Sequence, residues 1–178
     1  VIDWSMIHVT ESGGSTVNIP HAAPALLKGS KKLELLVNLV DDLCLRRGHK
    51  VLIFSQSLRM LHIIAHCLDP RQGCIKSDLG VVRLDGSVGV AERTRRIQAF
   101  NNSSSRNHVM LLTTQVGALG LTLIGADRVI LFDPAWNPSE DAQAVDRAHR
   151  FGQTRPVICY RLIGAGTVEE KVYEKQVF

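Results

Sequence analysis

An α/β fold, a parallel sheet with helices on both faces, is predicted by two features of the 178-residue sequence. Short apolar runs bounded by turn residues, several of them rich in Val and Ile, recur at intervals, and helical periodicities fill the gaps between them. Strand alternating with helix implies parallel strands, with the functional loops gathered at their carboxyl ends.

Residues 1–29 carry "ESGGSTVNIPHAAP", with scattered Gly, Ser and Pro and little periodicity, and read as a linker or extended approach. Next, "KKLELLVNLVDDLCLRR" places Leu33, Leu36, Val37, Val40 and Leu43 at helical spacing until Gly48 ends the run. The first strand is "KVLIFS" (50–55), followed by a helix repeating Leu58, Leu61, Ile64, Ala65 and Leu68. A surface loop (69–80) leads to the strand "GVVRLD" (80–85) and the helical "VAERTRRIQAF". A second loop (101–108) precedes the strand "HVMLLTT" (108–114), and "RVILFD" (128–133) forms the fourth.

The helix that follows is marked by Asn137 as a cap, Pro138 in the first turn and Glu140 at the capping-box position. Its periodicity extends through Phe151, which sets Gln143, Arg147 and Arg150 on one face at i, i+4 and i+7. The neighbouring stripe, Ala144, Ala148 and Phe151, suits packing against a sheet. The strand "VICYRLI" (157–163) comes fifth, and "TVEEKVYEKQVF" closes the chain with Val168, Val172 and Tyr173 at helical spacing.

The length suits one domain, and a 45% apolar composition is ample for a core. Twenty-one basic and seventeen acidic residues leave a charge of +4, which permits contact with a polyanion without demanding it. Cys44, Cys67, Cys74 and Cys159 show no paired spacing and no matching His, so they read as buried or inert thiols, not a zinc or disulfide framework. No metal ligand set is expected. No stretch approaches the roughly 20 apolar residues of a membrane span, so no membrane partner is expected either. The chain starts on Val1 and stops inside a helical pattern, as a piece of something longer would.

Four loops now line up at strand ends: "FSQS" (54–57), "LDGS" (84–87), "TTQVGALGLTL" (113–123) and "DPAWNP" (133–138). With "QAVDRAHRFGQ" (143–153) and "GTVEEKVYEKQVF" (166–178), they resemble, in order, the second RecA-like lobe of Swi/Snf-family DNA translocases in helicase superfamily 2. The segments "LLTTQVG", "GADRVILFDPAWNP", "DAQAVDR" and "GTVEEK" are most similar to the PICH and Cockayne-syndrome-B branch. The resemblance implies a RecA-like lobe over 30–165 and the start of a brace helix at 166–178.

It further implies coupling of ATP hydrolysis to movement along double-stranded DNA, free or in nucleosomes, in the nucleus. ATP with Mg2+ would be held mainly by an N-terminal RecA-like lobe. Arg147 and Arg150 would be arginine fingers reaching the γ-phosphate, with Gln143, Gly117 and Gly120 beside the nucleotide. Arginine suits that task through its permanent charge and planar donor fork; the bland alternative is a surface ion pair with Asp146 or Asp141. A translocase must grip phosphates without reading bases, and the implied DNA contacts are Ser55, Gln56, Gly86, Ser87, Arg93, Thr113, Thr114, Gln115 and Trp136. Two roles stay open for Ser87, phosphate contact or N-cap of the next helix, and two for Trp136, packing plug or coupling to DNA.

The family has Gly where Ala118 stands and Ile where Phe151 stands, the latter a change in core packing. No Walker A sequence and no acidic box is present, so hydrolysis by this chain alone is not expected. Two alternatives are the C-terminal lobe of an RNA helicase and a non-catalytic scaffold lobe; "DRAHRFGQ" and "DPAWNP" speak against the first, both arginines against the second.

Overall fold

The computed structural model describes residues 23–72, 74–75, 78–117 and 120–177. Five parallel strands, β1 (Val51–Ser55), β2 (Val81–Leu84), β3 (Val109–Thr113), β4 (Arg128–Leu131) and β5 (Ile158–Arg161), form one sheet in the order β2-β3-β1-β4-β5. Each lies inside its predicted apolar run. Val51 of the central strand registers with Val109 on one side and Arg128 on the other. The loops after β1, β3 and β4 therefore adjoin at one end of the sheet.

Side chains alternate between two cores, as the strand period of two requires. Val51, Ile53, Val109, Leu111 and Ile130 face helices α1 (Ala23–Gly29), α2 (Lys31–Asp41) and α3 (Leu58–Cys67). Leu52, Phe54, Met110, Leu112, Val129 and Leu131 face α4 (Val90–Asn101), α5 (Thr114–Gly117) and α6 (Pro138–Asp146). Each such side chain, fully buried, contributes roughly 1.5–3 kcal/mol. Helix α7 (Val168–Val177) is attached by buried Val172 and by an ion pair at 2.6 Å from Lys32 of α2 to Glu169.

Local chemistry accounts for the boundaries. Ser30, Ser57 and Asn137 cap α2, α3 and α6, each accepting a backbone N–H, and Pro138 opens α6. The buried Lys50 ammonium donates to the carbonyls of Phe100 and Asn102 at 2.8 and 2.6 Å, closing the C-terminus of α4. Burial lowers its pKa first, the nearby Arg155 charge second.

Four expectations need correction. Residues 23–29, placed within an extended approach, form α1, whose Ala23 and Leu26 complete the core; residues 1–22 lie outside the described residues. The second helix does not run unbroken to Gly48, for Asp42–Arg46 is a π-helical turn. Ser87 is no N-cap: α4 begins at Val90 with Gly89 ahead of it. Helix α6 stops at Asp146, so Arg147 is its C-cap and Arg150 lies beyond it.

The cysteines are free. Burial pushes the thiols of Cys44 and Cys67 up to about 12, with neighbouring Asp127 and Asp41 adding to the first and Cys74 to the second, which makes both inert at neutral pH. Cys159, on the edge strand β5, is exposed.

Candidate functional site

At the carboxyl end of the sheet, the loops after β1 and β4 are bound to each other. Ser55 is wholly buried, and its hydroxyl donates to Asp133 Oδ2 at 3.1 Å, while the Gln56 N–H reaches the same oxygen at 3.1 Å. The Gln56 carboxamide donates to the Pro134 carbonyl at 3.0 Å. Burial raises the Asp133 pKa, against these two hydrogen bonds and the charge of Lys32. The exposed hydroxyl predicted at Ser55 is therefore absent; its place at a strand end puts it inside, and Gln56 is the exposed member.

Two bonds grip the peptide that presents Trp136. The Ala135 N–H donates to buried Asp141 Oδ1 at 3.2 Å, and Gln176 of α7 donates to the Ala135 carbonyl. The indole itself is 75% exposed, so the packing-plug role is excluded. Burial raises the Asp141 pKa, opposed by the Ala135 N–H and by Arg161.

After β2, Asp85 accepts from both the hydroxyl and the N–H of Ser87 and pairs with Arg83 at 2.9 Å. Burial works against its charge, but those partners hold its pKa below the ordinary carboxylate value. Gly86 and Ser87 are exposed at the tip. Arg93 is half-buried, donates to the Val88 carbonyl at 3.1 Å and keeps a buried Nε without an acceptor among the described residues. After β3, Thr113 Oγ1 accepts from Val116 N–H at 3.4 Å and Thr114 is buried, which leaves Gln115 exposed. Ala118 lies outside the described residues.

The arginine-bearing segment is a turn laid against the strap Gly120–Ala126. The Leu123 N–H donates to the Arg147 carbonyl at 2.9 Å. One Arg150 nitrogen, Nη1, donates to the Gly120 carbonyl at 2.8 Å and to Thr122 Oγ1 at 3.2 Å. Gln153 Nε2 reaches the carbonyls of Ile124 at 3.1 Å and Ala126 at 2.7 Å, and Arg155 donates to the Gly125 carbonyl at 2.8 Å. Residues 147–155 are thus bonded to the strap at several points between Gly120 and Ala126.

Behind the strap, Asn101 donates to the Thr122 carbonyl at 2.9 Å and accepts from the Gly125 N–H at 3.0 Å. Gly125 is required here, since a Cβ would lie 2.7 Å from the Asn101 Cα. Asp127 anchors the far end, pairing with His49 at 2.8 Å and with Arg155 at 3.4 Å.

Gln143 and Arg150 are exposed and Arg147 half-buried. Among the described residues neither arginine pairs with a carboxylate, so the surface ion pair with Asp146 or Asp141 does not form; Asp141 faces Arg161. Arg147 Nε is buried without an acceptor among the described residues. Phe151, predicted to pack, is fully exposed, because the helix that would have turned it inward has ended. Gln153 and Asn101 were not among the candidates from sequence; the position of Gln153 within "RFGQ" was the only signal for either.

Comparison with known proteins bears on these geometries. Residues 31–152 match the helicase conserved C-terminal domain. The chain is 49% identical over 179 residues to a zebrafish (Danio rerio) DNA excision repair protein ERCC-6-like, covering 99% of this chain and 12% of that protein. It is 48% identical over 149 residues to the SNF2 domain-containing protein ENL1 of Oryza sativa subsp. japonica, covering 84% of this chain and 14% of that one. The crystal structure of the C-terminal part of the Fun30 ATPase domain superposes with a TM-score of 0.73 at 36% identity, over 82% of this chain and 45% of the other. The chain spans about an eighth of the length of these curated relatives.

Proposed function

The chain belongs to the helicase conserved C-terminal domain family, as the C-terminal RecA-like lobe of a Swi/Snf-family protein, and on that premise we propose that it is the second motor lobe of an ATP-dependent double-stranded DNA translocase. One observation carries this: two guanidinium groups, Arg147 and Arg150, stand on one turn with donors to spare and no carboxylate partner among the described residues. A donor set of unpaired cations fits the anionic oxygens of a triphosphate.

ATP with Mg2+, bound mainly on the N-terminal RecA-like lobe of the whole protein, supplies the bond to be broken and the charge to be neutralised. Catalysis of phosphoryl transfer is mostly positioning and electrostatics, so an arginine brought up by a second lobe makes hydrolysis depend on lobe closure. Gln143, on the exposed face of α6 ahead of Arg147, completes the nucleotide side together with Gly117 and Gly120. The exposed Gln56, Gly86, Ser87, Gln115 and Trp136, with Arg93, meet the duplex backbone, while Ser55, Thr113 and Thr114 shape their loops. The whole protein would act in DNA repair, chromosome maintenance or chromatin remodelling in the nucleus, on free or nucleosomal duplex, and the excision-repair and SNF2 names of the relatives support the repair and remodelling roles.

The test uses the whole two-lobe protein. Arg150→Ala is expected to cut duplex-stimulated turnover by on the order of 10³-fold with duplex affinity unchanged, and Arg150→Lys to restore little, because an ammonium lacks the planar fork. Undiminished turnover overturns the reading. Stimulation by single-stranded RNA in place of duplex DNA would reassign the substrate.

A further inference from the structure

We propose that Gln153 is a positioning residue for Arg150: its carboxamide locks the turn carrying that arginine onto the Gly120–Ala126 strap and so sets the reach of the guanidinium. This rests on the role given to Arg150 above and adds a residue to it.

The orientation of the carboxamide is forced. Nε2 faces three carbonyl oxygens, those of Ile124 at 3.1 Å, Ala126 at 2.7 Å and Ala148 at 3.2 Å, while Oε1 accepts from the Arg155 N–H at 3.0 Å. A flipped amide would set its oxygen against three others. One half-buried side chain thereby joins the strap, the chain just past α6 and the segment leading to β5.

Arg150 sits inside the loop that Gln153 closes. The Gln153 N–H donates to the Arg150 carbonyl at 2.9 Å, and Gly152, at φ +98°, supplies the left-handed turn between them. The backbone of Arg150 is thus fixed from behind by Gln153, and its Nη1 from in front by Gly120 and Thr122. A guanidinium has five N–H donors. Those on Nε and Nη2 keep no protein acceptor among the described residues, so an exposed side chain on a braced stem retains donors for an outside anion. A nucleophilic displacement on phosphorus is sensitive to such placement, for an error of about 1 Å can cost roughly 10²-fold in rate.

In the whole two-lobe protein, Gln153→Met keeps the length and removes the donors. The expected result is a fall in kcat of roughly tenfold, with KM for ATP and duplex affinity within about twofold. Combined with Arg150→Ala, the same change should cost nothing further, because a residue acting through Arg150 is silent once Arg150 is gone. An equal loss in both backgrounds, or an unchanged kcat, overturns the proposal. Gln153→Asn, which keeps the amide but falls one methylene short of Ala126, provides the same comparison should the Met variant not fold. Arg150→Ala without effect overturns both roles together, whereas a crippled Arg150→Ala beside a normal Gln153→Met removes this inference alone.

Discussion

The paired loops after β1 and β4 and the segment after α6 both carry polar side chains in loops, yet they use them in opposite ways. In the first, Ser55, Gln56, Asp133 and Pro134 bind one another, while Gln56 and the indole of Trp136 face outward. In the second, backbone carbonyls and the Gln153 and Asn101 amides do the binding, and the guanidinium of Arg150 stands exposed. A position at a strand end is thus not enough to make a contact residue. What decides is whether the polar atom is already satisfied inside the protein, since a buried hydroxyl held by a neighbouring carboxylate has nothing left to offer a phosphate.

Three substitutions sharpen that contrast, from the largest stability effect to the smallest. Ser55→Ala should destabilise this chain by about 1–3 kcal/mol in a urea titration, because it strips a hydrogen bond from the half-buried Asp133. A loss of duplex affinity with unchanged stability would instead return Ser55 to the contact surface. Ser87→Ala should cost less, roughly 0.5–1.5 kcal/mol, and raise the Asp85 pKa in a carboxyl-carbon NMR titration. The sign follows from the depressed native pKa: Asp85 stabilises the fold above its unfolded value, and that contribution is lost as pH falls through the native one. The variant should therefore lose this contribution at a higher pH than the parent. Trp136→Ala should change stability by no more than about 0.5 kcal/mol, yet lower the duplex stimulation of the whole protein severalfold. A large drop in melting temperature would mean that the indole packs after all.

The strands were legible because buried parallel strands are continuous apolar runs, and Val51–Ser55 or Arg128–Leu131 can hardly be read otherwise. The end of α6 was not. Through "AQAVDRAHRF" the helical spacing persists, and what stops the helix is remote: the Leu123 N–H takes the Arg147 carbonyl, and the turn at Gly152 brings Gln153 back onto the strap. The same tertiary cause turned Phe151 outward and broke the single stripe expected of Gln143, Arg147 and Arg150. Gln153 and Asn101 escaped notice because a clamp is defined by carbonyls about 25 residues distant in sequence, and neither side chain announces such partners. Helix α1 was hidden by the Pro- and Gly-rich stretch before it, although its Leu26 completes the core.

The central claim is that Arg147 and Arg150 neutralise a triphosphate held by another lobe. It is met most directly by a structure of the whole two-lobe protein on duplex DNA with a γ-phosphate transition-state mimic. The account predicts at least one guanidinium nitrogen from each arginine within about 3 Å of the mimic's oxygens. Two arginines pointing into solvent in that closed, loaded state, with the strap still in place, would contradict it.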